Sequence, residues 1–227
     1  AFGEDVVPCS YDDLDTSDLI LLVGSNTAWC HPIIWQRIER ARATRGTKLV
    51  VIDPRRTETA QQADLHIAIR PDGDVALFLG LLAAMRDRDL LDTDCLARHV
   101  QVDPHYIDSL SHDCDAMGIT QTDFAALADL VAQYPAMLTL YSQGVNQSTS
   151  GTDKGNAIIN LHLATGRIGK AGAGPFSITG QPNAMGGREV GGLASTLAAH
   201  MGFGAHECDR TQRFWNSPTI ARAPGLK

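Results

Sequence analysis

The sequence predicts an α/β fold, a mainly parallel sheet flanked by helices. Three features carry this expectation: short apolar runs end in turn residues, an amphipathic segment separates the first two runs, and the connections between them are short. Residues 18–24 (DLILLVG) are an apolar run closed by glycine, which reads as a buried strand. Residues 33–45 set Ile34, Ile38 and Ala41 against Arg37, Arg40 and Arg45, the spacing of an amphipathic helix, and Gly46 follows as its stop. Residues 48–52 (KLVVI) form a second buried strand, closed by Asp53-Pro54. Strand, helix and strand joined in this way make a βαβ unit with parallel strands and a right-handed crossover.

Residues 65–69 read as a third strand, and 74–86 as a helix with Asp74 near its N-terminus. Short helical stretches follow around 94–100 and 104–110. Residues 122–134 form a helix that Pro135 bars from continuing. Residues 137–141 (MLTLY) are another strand, 144–152 a polar loop, and 156–165 an apolar helix stopped by Gly166. Strand and helix signals weaken beyond that point. Of the 21 glycines, 14 lie between Gly144 and Gly204, where only six of the 45 charged residues occur. Glycine permits close backbone approach, so this stretch reads either as the wall of a site for a bulky ligand or as irregular chain.

Composition narrows the classes. With 44% hydrophobic and 20% charged residues and a formal net charge of −7, the chain reads as a soluble acidic globule. No apolar run approaches the ~18–20 residues that span a bilayer, and an acidic chain is poorly suited to nucleic acid. Neither a membrane nor a nucleic-acid partner is expected. The five cysteines show no C-x-x-C spacing, which argues against a disulfide framework or a closed zinc site. His99, His105 and His112 lack a ligand-like context, so no metal ligand is expected in this chain.

In open parallel sheets, ligands bind beyond the C-terminal ends of the strands, and four segments lie there. Gly24-Ser25-Asn26 either presents backbone N–H groups to a phosphate or makes a plain turn. Asp53 can accept from a ribose hydroxyl, and Pro54-Arg55-Arg56-Thr57 beside it can grip a phosphate. Asp72 and Asp74, on either side of Gly73, either accept two N–H donors from a guanine edge or cap the following helix. Gln143, Gly144, Asn146 and Gln147 supply uncharged donors and acceptors. Residues 179–188 (TGQPNAMGGR) repeat that chemistry through Gln181 and add Arg188, a cation suited to an anion.

Taken in order, the motifs VGSNTAWCHP (23–32), VIDPRRTETA (51–60), RPDGD (70–74), QGVNQSTSGTDKGNAI (143–158) and TGRIGKAGAGPFSITGQPNAMGGREVG (165–191) resemble the molybdopterin oxidoreductase (dimethyl sulfoxide reductase) superfamily. The likeness is greatest to the catalytic subunits of bacterial assimilatory nitrate reductases and covers nearly the whole chain. It implies a molybdenum bis(molybdopterin guanine dinucleotide) cofactor. Gly24, Ser25, Asn26, residues 53–57 and residues 72–74 would hold one guanosine and its phosphates, and Gln143, Gly144, Asn146 and Gln147 would lie nearer the pterin. Gln181 and Arg188 would stand on the substrate side, with Arg188 orienting nitrate for reduction to nitrite.

The resemblance further implies a [4Fe–4S] cluster, a protein electron donor, a role in nitrate assimilation and a cytoplasmic location. The cysteine motifs that hold the cluster and the molybdenum do not occur here. The chain is therefore expected to be an internal piece of a larger multidomain molybdoenzyme, inactive alone. Its expected organisation is a Rossmann-like cofactor-binding domain over residues 1–135 and part of an adjoining α/β domain over 136–227. Formate dehydrogenases share much of the pattern, and a non-catalytic module of the same fold is the other alternative.

Overall fold

Strand β1 (Leu19–Val23) is apolar at every position because both faces of the sheet at its centre are covered. The structure is a computed structural model that describes residues 7–179, 184–192 and 195–225. In chain order, β1 is followed by α1 (Thr27–Cys30), α2 (Pro32–Arg45), β2 (Lys48–Ile52), α3 (Glu58–Gln61) and β3 (Leu65–Ile67). Next come α4 (Asp74–Asp87), α5 (Thr93–His99), α6 (Pro104–Ser109), α7 (Cys114–Met117) and α8 (Gln121–Gln133). The remaining elements are β4 (Met137–Tyr141), α9 (Gln143–Asn146), α10 (Gly151–Ala164), β5 (Gly174–Ser177), α11 (Ala184–Glu189) and α12 (Ala205–Phe214).

The five strands form one parallel sheet in the order β3-β2-β1-β4-β5, as the α/β reading anticipated. Alternation along β1 divides the core in two. Leu19, Leu21 and Val23 pack with Leu77 and Phe78 of α4, Leu127 of α8 and Ile158 of α10. Ile20 and Leu22 pack on the other face with Ile34 and Ile38 of α2. Pro32 opens α2 and Gly46, in the left-handed region at φ 76°, closes it.

Two differences from the sequence expectation have physical causes. Helix α10 begins at Gly151 rather than at residue 156, so the end of the expected polar loop and the unassigned residues 153–155 are helical, and Lys154 lies on the α10 side that meets α4. Strand β5 contains Gly174 and Pro175, which suppress a strand signal. It lies at the sheet edge, where a missing N–H is tolerated.

The boundary expected between residues 135 and 136 falls within this sheet. Strand β4 pairs with β1 along its whole length, from Leu19↔Met137 to Val23↔Tyr141. The chain divides instead into two compact units, one holding residues 7–180 and the other 181–227. Within the second unit, Glu207 near the start of α12 accepts from the Gly202 and Gly204 amides. Among the described residues, no helix is long and apolar enough to cross a membrane.

Two buried basic side chains tie α8 and α10 to the sheet. Arg167 donates to the carbonyls of Val131 at 2.6 Å, Pro135 at 3.2 Å and Tyr134 at 3.4 Å, closing the C-terminal end of α8. Burial pushes its guanidinium down to about 10. His162, fully buried on α10, shares a hydrogen bond of 2.8 Å between Nε2 and the Thr139 hydroxyl of β4.

Candidate functional site

Strand order fixes where a ligand can bind. The chain leaves β1 toward β2 on one side, whereas β4 leads to β5 on the other, so the switch point lies between β1 and β4. A cavity of about 410 Å³ lies at these strand ends. It is lined by Gly24, Ser25 and Asn26 after β1, Asp53, Pro54 and Arg55 after β2, Asp72 and Asp74 beyond β3, and Ser142, Gln143 and Gly144 after β4. Four segments far apart in sequence thus share one wall.

Each segment is held by local geometry. Gly24 sits in the left-handed region at φ 54°, and its carbonyl accepts the Gly144 amide at 3.0 Å. The Asn26 side-chain carbonyl accepts the Thr59 hydroxyl at 2.7 Å, and that hydroxyl accepts the Ala28 amide at 3.0 Å, which ties α1 to α3. Asp53 is buried, and its Oδ1 accepts the Arg55 amide at 2.8 Å, which fixes the turn and leaves the Arg55 side chain 79% exposed. His66 Nε2 meets the Asp53 carbonyl at 2.9 Å from β3.

The turn at residues 70–73 is closed by the Gly73 amide donating to the Arg70 carbonyl at 2.9 Å. Asp72 occupies the left-handed region at φ 67°, a place that usually favours glycine. Gly73 is the N-cap of α4, and Asp74 stands in its first turn, where a carboxylate suits the helix dipole.

Like Ser142 and Ser148, Lys154, in the first turn of α10, is a cavity residue that sequence reasoning missed. Its side chain is 3% exposed, and Nζ donates to Asp72 Oδ1 at 2.8 Å and to Asp74 Oδ2 at 2.9 Å. Burial works to lower the lysine pKa, but the two carboxylates outweigh it and the net shift is upward. The available signal was a lone lysine, next to one aspartate, in a stretch otherwise poor in charge.

Two further cavity residues carry buried polar atoms without a hydrogen-bond partner, His31 at Nε2 and Ser148 at Oγ. Burial also holds the His31 imidazole below its usual range. Orphaned buried groups are costly, so both suit a polar ligand.

Not every expected residue lines this cavity. Arg56 is exposed beside it, the Thr57 hydroxyl instead caps α3 by accepting the Ala60 amide at 3.3 Å, and Gly73, Asn146 and Gln147 lie outside its lining. Gln181 and the Arg188 side chain lie outside the described residues, although the Arg188 backbone belongs to α11. The five cysteines are free thiols. Burial first, and Asp13 second, push the Cys9 thiol up to about 12.

The sequence pattern described as Molybdopterin oxidoreductase matches residues 2–220. A nitrate reductase of Shewanella frigidimarina is 50% identical over 233 residues, covering 100% of this chain and 25% of that protein. A nitrate reductase of Klebsiella oxytoca is 48% identical over 230 residues, covering 100% of this chain and 26% of that protein. The chain thus spans about a quarter of the length of these relatives. Acetylene hydratase from Pelobacter acetylenicus shares the fold, with a TM-score of 0.58 at 20% identity over 72% of this chain and 25% of that one.

Proposed function

Because this chain belongs to the molybdopterin oxidoreductase family, we propose that it forms the nucleotide-holding part of a nitrate reductase catalytic subunit. The whole protein reduces nitrate to nitrite with electrons from a protein donor, in the cytoplasm, in the service of nitrate assimilation. Its cofactor is the guanine dinucleotide form of molybdenum-molybdopterin, accompanied by a [4Fe–4S] cluster. When bound, the molybdenum–pterin group supplies the two-electron exchange of an oxygen atom.

The observation that carries this reading is the convergence of the four strand-end segments on one cavity with two orphaned buried polar atoms. Those residues fit a guanosine and its phosphates. Asp53, fixed by the Arg55 amide, accepts from a ribose hydroxyl. Asp72 and Asp74 accept from the donor edge of guanine. Arg55 meets phosphate at the rim, where a guanidinium forms charge-assisted hydrogen bonds. The amides and side chains of Ser25 and Asn26 complete the nucleotide side, with Arg56 outside and Thr57 holding α3 behind it through its cap. Gln143, Gly144, Asn146 and Gln147 line the way toward the pterin without adding charge. Gln181 and Arg188 orient nitrate, Arg188 by attracting the anion.

Hydrogen–deuterium exchange with guanosine diphosphate tests the nucleotide assignment. Slower exchange is expected in residues 24–26, 53–55, 72–74 and 142–148. Protection confined to other segments overturns it. In the whole reductase, Arg188→Ala is expected to raise the nitrate KM in a viologen-driven assay, and an unchanged KM removes Arg188 from the substrate side.

A further inference from the structure

We propose that Lys154 is a positioning residue for base recognition, which locks Asp72 and Asp74 into an acceptor pair selective for guanine. The inference rests on the nucleotide reading above and assigns a role to a residue that touches neither phosphate nor ribose in it.

Three observations converge on Lys154. It is buried, and its single ammonium bridges two carboxylates that come from opposite sides of one glycine. It stands in the first turn of α10, where the helix dipole disfavours a cation. Its partner Asp72 holds a left-handed backbone conformation that costs a non-glycine residue free energy. The helix position of the lysine and the left-handed Asp72 backbone both work against stability. What the arrangement secures is geometry.

Without the lysine, two carboxylates this close would repel and the exposed one, Asp72, would swing toward water. With it, both are held by one ammonium, and the group of three carries one net negative charge. An ionised carboxylate only accepts hydrogen bonds. Guanine offers adjacent donors at N1–H and the N2 amino group, whereas adenine places a lone pair at N1 and would face an acceptor with an acceptor. A site that leaves polar groups unpaired with the wrong ligand discriminates strongly. Lys154 therefore acts through the two aspartates and sets which base the cavity takes.

The test is calorimetric titration of the chain with guanosine diphosphate and adenosine diphosphate, on wild type, Lys154→Met and Lys154→Gln, with folding checked by circular dichroism. Wild type is expected to prefer the guanosine ligand. Lys154→Met is expected to lower that preference by about tenfold or more, and Lys154→Gln, which still donates to one carboxylate, by a smaller factor. If Lys154→Met does not fold, the loss in Lys154→Gln carries the test. A folded lysine variant that keeps the wild-type ratio, even with a lower melting temperature, makes Lys154 merely structural and overturns the proposal. If wild type shows no guanosine preference, the nucleotide reading itself fails, a result distinct from the first.

Discussion

Gly24 and Gly144 meet backbone to backbone at the β1/β4 switch point. A Cβ on Gly24 would lie 2.7 Å from Gly144 Cα, and a Cβ on Gly144 would lie 2.6 Å from Gly24 Cα. No side-chain rotation relieves such a contact, because both sides are main chain. The close approach brings Ser25 and Asn26 beside Ser142 and Gln143, so it sets the width of the cavity floor.

Gly144→Ala is expected to push the two loops apart. Overpacking of this kind costs about 1–3 kcal/mol, read as a lower urea midpoint with an unchanged slope. Guanosine diphosphate affinity should fall with it. Gly24→Ala should cost more, since alanine adds left-handed strain of about 1–2 kcal/mol to the same clash. Equal stability of wild type and Gly144→Ala would contradict the contact.

Arg55 is held by its backbone and exposed by its side chain, so its attraction to phosphate is screened by salt. Arg55→Ala should weaken guanosine diphosphate binding about threefold at low ionic strength, and the gap should close as salt rises. A salt-independent difference would point to a packing role instead.

His162 makes stability depend on pH. Burial first, and the nearby Arg167 charge second, hold its pKa well below the ordinary value near 6.5. In the unfolded chain the ring takes up a proton below about pH 6.5, while the folded ring stays neutral. The unfolded state then binds more protons, so stability is full above that pH and falls beneath it, by at most about 1.4 kcal/mol per unit. His162→Gln, which keeps a group facing Thr139, should lose this part of the slope. Urea denaturation of both proteins at pH 7.5 and 5.5 measures it, and parallel slopes would refute it.

Arg167→Met should strand the Val131, Tyr134 and Pro135 carbonyls at the end of α8. Loss of several charge-assisted hydrogen bonds from a buried side chain is worth about 3 kcal/mol or more. Thermal unfolding should show a markedly lower midpoint, and Arg167→Lys should recover part of it. A methionine variant as stable as wild type would mean those carbonyls find other partners.

Much of the framework is legible in the sequence. The strands at residues 48–52 and 137–141, the glycine stop at Gly46 and the start of α4 at Asp74 follow from local pattern alone. So does the placing of Asp53, Asp72, Asp74 and Gln143 beyond strand ends. Strand β5 was illegible because Gly174 and Pro175 mask it, and α10 appeared too short because Gly151 and Gly155 read as loop.

The sequence by itself determined the class of fold, the strand-end position of the polar motifs and the family resemblance, since these depend on neighbours along the chain. Tertiary structure alone decided that β4 lies against β1 rather than in a separate domain. It also decided that Gly24 must meet Gly144 and that Lys154 reaches two aspartates far away in sequence. Thr57 shows the same limit, its hydroxyl spent on capping α3 rather than facing the cavity. Side-chain periodicity is a local property, whereas strand order and burial emerge only when the two faces of the sheet close on their helices.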